Sequence, residues 1–240
     1  MSPELFRIDS RYCGPPRSGH GGYVCGRVAD YVDGPAAVRL MAPPPLDADL
    51  RIERLDGVVK LFAGDAPIAE ARPAGLDLQP PAPPSYAEAE ASSKSYPGFA
   101  RHPFPRCFGC GPQRAPGDGL RIFPGPPSAD GRTVAAWIPD AALADDTGAV
   151  RERYLWAALD CPSGWSTLEQ TDRTIVLGEL RARIDGAVAP GERCVVIGWP
   201  IAVEGRRRLA GSAVFGADGR AVALAQATWI EVPKSAFGAV

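Results

Sequence analysis

"TIVLGELRARIDGAVAPGERCVVIGWPIAVEGRRRLAGSAVFGADGRAVALAQATWIEV", residues 174–232, decides the fold. Four apolar-rich runs, 174–184, 193–205, 208–217 and 220–232, are joined through "APGE" (189–192), "EGRR" (204–207) and "ADGR" (217–220). Short links of this composition suit hairpin turns, and no helix falls between the runs to make the crossover that parallel strands require. In the last run Ala221, Ala223, Ala225 and Ala227 share one face, and Val222, Leu224, Gln226 and Thr228 share the other. A strip of methyl groups lets a helix approach closely, so the pattern predicts an antiparallel sheet wrapped around a helix.

Upstream stands "VRERYLWAALDCPSGWSTLEQ" (150–170), where Leu155, Ala158, Leu159 and Pro162 form a helical stripe. Pro162 is expected to bend or end that helix, because its ring clashes with the carbonyl of Ala158 and it has no N–H to donate. Strands are expected near "GLRIFPG" (119–125) and "RTVAAWIP" (132–139). The first part of the chain has the same order. A strand at "LFRID" (5–9) leads through "SGHGGY" (18–23) to a helix at "YVCGRVADYV" (23–32). Short strands follow at 36–42, 48–55, 57–64 and 67–74, punctuated by Pro, Asp-Gly and Gly-Asp. Between the halves, residues 73–105 hold eight prolines and little apolar periodicity, the composition of an extended, semi-rigid connector. The expected organisation is a unit at 1–72, a connector at 73–105 and a unit at 106–240. Both units are α+β, a strand and a helix followed by antiparallel strands.

Of the 240 residues, 45% are hydrophobic and the formal net charge is -2, enough apolar content for a core and too little basic charge for a nucleic acid or an anionic membrane surface. The basic cluster Arg206–Arg208 is expected in a turn. No apolar run is long enough to span a bilayer, and "MSPELFRIDS" has no secretory-signal pattern, so the cytoplasm is the expected location. The six cysteines, 13, 25, 107, 110, 161 and 194, are dispersed and expected to be reduced.

"SGHGGYVCGRVADYV" resembles the helix entry of phenylacetyl-CoA-type thioesterases, and "YLWAALDCPSGW" with the 177–232 stretch is similar to the hotdog-fold acyl-CoA thioesterase superfamily. The resemblance covers nearly everything outside the connector and implies a double hotdog, two tandem units of an antiparallel sheet around a central helix. It implies acyl-CoA or another acyl thioester as the partner and a homodimer of double hotdogs as a possible assembly. No cofactor is implied. There is one departure: Asp30 lies ten residues after His20, one step further than the acid of His-Gly-Gly members, which rotates it off the expected face. The second half has an acid, Asp160, but no Gly-Gly entry, so two half-sites are expected to combine.

Thioester hydrolysis needs donors for an oxyanion and a base or nucleophile to bring in oxygen. Unpaired amides at the positive end of a helix supply the first, which makes Gly21 and Gly22 candidates. A carboxylate supplies the second. Asp160 is the first candidate, four residues after Trp156; Asp30 is the second, and Glu169 a weaker third. His20 could donate to the carbonyl or to the acid, or it could simply cap the loop. Tyr23, Tyr154, Trp156 and Trp165 could line an acyl pocket or pack in the core. There is no Gly-x-Ser-x-Gly elbow, dinucleotide fingerprint or P-loop. An acyl-binding module without turnover and an enoyl-CoA hydratase remain as alternatives.

"RCFGCGP" (106–112) carries the sequence's single Cys-x-x-Cys. A structural zinc site takes four ligands, commonly from two pairs, and His102 is the only supplement nearby in sequence, so no metal is expected. A redox pair would sit at a strand-to-helix junction, whereas Gly and Pro follow here. The expected role is a hinge that delivers "GLRIF" as the first strand of the second unit.

Overall fold

The computed structural model describes residues 4–168 and 173–237; the candidate Glu169 lies outside them. In chain order the elements are β1 (Glu4–Phe6), α1 (Gly21–Ala29), β2 (Ala36–Leu40), β3 (Leu50–Leu55), β4 (Val58–Ala63), β5 (Ala66–Pro73) and α2 (Tyr86–Lys94). They continue with β6 (Thr133–Trp137), α3 (Glu152–Trp165), β7 (Arg173–Ile184), β8 (Cys194–Glu204), β9 (Arg207–Phe215) and β10 (Ala221–Pro233). The hairpins form where turn residues allow. Asp56 and Gly57 both adopt positive φ (52° and 76°), the two-residue turn whose twist matches the flanking strands β3 and β4.

The described strands make one ten-stranded antiparallel sheet, ordered β1-β3-β4-β5-β2-β7-β10-β9-β8-β6. Counted from its own first strand, each half runs first, third, fourth, fifth, second. The two second strands pair at the centre, Ala36 with Ala182 and Val38 with Leu180. Helices α1 and α3 pack against each other and against this sheet, and a single core draws residues from both helices and both halves, including Val24, Val28, Leu61, Leu155, Leu159, Leu180 and Val196. Ala223, Ala225 and Ala227 are fully buried in that core, where β10 meets α3, while Leu224 points to the other face.

Three local expectations are corrected. Residues 119–125 form no strand; they run beside the Cys-x-x-Cys loop, Leu120 N donating to Phe108 O (2.8 Å) and Ile122 N to Gly109 O (2.9 Å), and the first strand of the second half is β6. Pro162 does not end α3, which continues to Trp165. The Pro162 carbonyl accepts from Thr133 Oγ1 (2.9 Å), and β8 presses so closely that Gly198 has no room for a Cβ beside that carbonyl. The segment 73–105 is not uniformly extended. It carries α2, opened by a capping box in which Ser85 accepts from Glu88 N and Glu88 from Ser85 N. Ala89 of α2 and Leu76 then cover Val195, Ile197, Trp199, Phe215 and Leu224 on the outer face of the second half. Among the described residues, no helix is long and apolar enough to cross a membrane.

Candidate active site

Helix α1 starts one residue after His20, two residues earlier than the apolar pattern of 23–32 suggests. His20 is its N-cap, 2% exposed, with Nδ1 accepting from Tyr23 N at 3.2 Å. A helix can begin here because His20 and Asp160 supply acceptors for its first amides and the Gly21-Gly22 pair lets α3 come close. A Cβ on Gly22 would stand 2.6 Å from both Asp160 Cβ and Trp156 O. That approach brings the buried Asp160 of α3 onto the first turn of α1, where Gly22 N donates to Asp160 Oδ2 at 2.5 Å.

The capping amides are therefore already divided: Gly22 belongs to Asp160 and Tyr23 to His20. Of the two amides expected as oxyanion donors, that of Gly22 is taken by Asp160, and Gly21 lies on the cleft wall. His20 Nδ1 also stands 3.4 Å from Asp160 Oδ2. A proton on Nδ1 faces the carboxylate, and without it Nδ1 accepts the Tyr23 amide. Burial pushes the imidazole down, but the Asp160 carboxylate and then Cys107 push it up, to a net value of about 8. Burial in turn raises the Asp160 carboxyl, against the pull of His20 and of the Gly22 amide.

These groups form part of the wall of a cleft of about 430 Å³. It opens where the two halves meet, between Leu40–Pro44 at the end of β2, Ile175–Gly178 of β7 and Trp229–Ile230 of β10. Its walls are mostly apolar; the polar groups gather at His20, Gly21, Asp160, Cys161, Cys107, Cys110 and His102.

The structure thus brings together His20, Gly21, Gly22 and Asp160, from two helices far apart in sequence. Asp30 is not with them. It caps the opposite end of α1 and pairs with Arg153 at 2.9 Å, about 12 Å along the helix at 1.5 Å per residue. Tyr23 stacks on Tyr12 with ring centroids 4.0 Å apart, in a cluster with Phe108 and Tyr154 away from the cleft. Trp156 is buried in the core and supports Gly22 through its backbone. Trp165 does line the cleft. Sequence reading missed Cys161 as an individual group, although it adjoins Asp160 in "LDCP". Its Sγ lies 3.3 Å from His20 Nε2.

No protein-family model matches the chain, and no curated protein matches it in sequence. In structure it is similar to a conserved protein of unknown function with a hot dog fold from Alicyclobacillus acidocaldarius, at 12% identity over 95% of this chain and 92% of that one, TM-score 0.61. It is similar as well to a candidate thioesterase from Novosphingobium aromaticivorans DSM 12444, at 15% identity over 94% of each chain, TM-score 0.60. The likeness is one of backbone, and it extends over nearly the whole chain: the protein has the hotdog fold.

Proposed function

We propose that this protein hydrolyses an acyl thioester, acyl-CoA or a related one, in the cleft between its two halves. We read those halves as tandem hotdog units, 1–72 and 106–240, a reading supported by the repeated strand order and by the pairing of β2 with β7. The observation that carries the functional proposal is the bond from Gly22 N to Asp160 Oδ2, which holds a buried carboxylate at the positive end of α1 on the wall of an apolar cleft.

The acyl chain lies along the apolar wall and the thioester carbonyl points to the start of α1, where the Gly21 amide and the helix end favour negative charge on oxygen. Asp160 takes a proton from water as the water oxygen attacks the carbonyl carbon. When the tetrahedral intermediate collapses, the C–S bond breaks and the proton passes from Asp160 to the departing sulfur. His20, in contact with the same carboxylate oxygen, orients it and favours its charged form.

Chromatographic detection of free acid and free thiol from a panel of acyl-CoAs tests this reading. Hydrolysis of at least one member is expected, and Asp160→Asn should reduce kcat by at least about 10²-fold. A panel left intact, or an Asp160→Asn variant as active as the parent, overturns it. One observation favours a second reading, an acyl-binding module: Asp160 and the Gly22 amide already satisfy each other. Saturable binding of an acyl-CoA with no product would support that alternative.

A further inference from the structure

Beside the carboxylate, the cleft wall gathers three thiols and the His102 imidazole, which hydrolysis does not use, and the Nε2 of His20, whose other nitrogen faces Asp160. They form a continuous series. His20 Nε2 lies 3.3 Å from Cys161 Sγ, Cys161 Sγ 3.7 Å from Cys107 Sγ, Cys107 Sγ 3.7 Å from Cys110 Sγ, and Cys110 Sγ 3.2 Å from His102 Nε2. Cys107, Cys110 and Cys161 are all buried, at 5%, 3% and 8% exposure. His20 Nε2, Cys107 Sγ and Cys161 Sγ lie within 4.8 Å of one another.

We propose that Cys107, Cys110, Cys161 and the Nε2 of His20 bind one zinc ion, which ties the Cys-x-x-Cys loop to both central helices. His20, Cys107 and Cys161 are grouped as ligands of one ion would be, and Cys110, 3.7 Å from Cys107 but outside their mutual 4.8 Å set, joins them by turning its side chain inward. With Zn–S bonds of about 2.3 Å, tetrahedral thiolates stand roughly 3.7–3.8 Å apart, and an imidazole nitrogen stands about 3.5 Å from each sulfur. The donor set, soft thiolates with one imidazole, is that of a closed structural zinc site. Binding releases one proton from each thiol, and the Nε2 proton of His20 as well where that imidazole is charged; zinc keeps its oxidation state.

The choice between the two imidazoles follows from their other nitrogens. His102 Nδ1 accepts the Phe104 amide at 2.8 Å, so its proton sits on Nε2 and is directed at the Cys110 sulfur. It is a donor to the thiolate, outside the coordination sphere. His20 Nδ1 also accepts a backbone amide, that of Tyr23 at 3.2 Å, but unlike His102 it has a carboxylate at 3.4 Å; in the metal-bound form its proton sits on Nδ1 facing Asp160, and Nε2, which lies with Cys107 and Cys161, carries the free lone pair. Gly109 completes the fit. Its backbone passes so close that a Cβ there would lie 2.6 Å from Cys161 Sγ and 2.7 Å from His20 Nε2. The centre shares His20 with the proposed thioester site, but its metal is measured without any substrate, so the failure of one reading is distinguishable from the failure of the other.

The test is elemental analysis of the full chain, purified under reducing conditions without chelator and reconstituted with zinc, together with cobalt(II) substitution. About one zinc per chain and the charge-transfer and ligand-field bands of tetrahedral cobalt thiolate are expected. Cys107→Ser and Cys110→Ser should lose the metal, His20→Gln should weaken it at least about 10-fold, and His102→Gln should retain it. The cobalt spectrum of the unaltered protein decides the matter even where a variant fails to fold. A metal-free protein that gives no cobalt thiolate bands overturns the proposal, as does a Cys107–Cys110 disulfide found by mass. Zinc retained by His20→Gln and lost by His102→Gln overturns the choice of ligand.

Discussion

Asp160 and Asp30 are the same residue type, each associated with a central helix, and their surroundings give them different work. Asp160 is 3% exposed, bonded to a helix-start amide and in contact with an imidazole. Asp30 sits at the end of α1, where burial raises its carboxyl while Arg153 pulls it down, and its ion pair with Arg153 is partly open to water. A pair in that position contributes at most about 1 kcal/mol. Asp30→Asn is therefore expected to leave kcat within about twofold of the parent and stability within about 1 kcal/mol, while Asp160→Asn loses turnover. Steady-state kinetics and urea denaturation of the two variants side by side check this; an Asp30→Asn variant as inactive as Asp160→Asn would relocate the chemistry. In the sequence Asp30 already ranked below Asp160. The extra residue between His20 and Asp30 was the legible signal, and it marks the point where α1 has already ended.

At the scale of elements, the crossing of α1 and α3 depends on two small residues one turn apart. A Cβ on Gly22 would stand 2.6 Å from the Trp156 carbonyl, and one on Gly26 would stand 2.7 Å from Arg153 Cα. On an exposed helix, Gly→Ala is worth up to about 1 kcal/mol of added stability. Here the opposing atoms are backbone and cannot rotate away, so overpacking at about 1–3 kcal/mol wins, and Gly26→Ala is expected to be destabilising. Equilibrium unfolding gives the sign, and a stabilised variant would show that the helices have room to separate. The hairpins were legible because their turns carry Asp-Gly and Gly at the points where φ turns positive. Helix α2 was legible too, in the Ser85-x-x-Glu88 capping box, but proline density around it dominated the reading. Pro162 misled for the opposite reason: its local penalty is overridden by Thr133 and β8 packed against its carbonyl. Of His20, Cys107, Cys110 and Cys161 only the Cys-x-x-Cys pair had a local signature, because the members come from three segments that the tertiary fold brings together.

For the whole molecule, the shared core sets the unit of folding. The strand order repeats, yet the halves are not closed at their common border: β2 and β7 are each other's partners, and Ala36, Val38, Leu180 and Ala182 are buried there. Separating the halves would expose the backbone donors and acceptors of both strands as unpaired edges. It would also uncover the faces of α1 and α3 that now touch and split the core that both supply. The segment carrying α2 adds a further link, since Leu76 and Ala89 cover strands of the second half. Residues 1–105 and 106–240, produced separately, are therefore expected to be insoluble or to lack cooperative unfolding, whereas the two co-expressed should associate and recover a single transition. Calorimetry and size-exclusion chromatography of each fragment and of the co-expressed pair check this. A fragment 106–240 that unfolds cooperatively by itself would show that its own β7–β10 sheet is sufficient, and that the border with the first half is an interface between finished units.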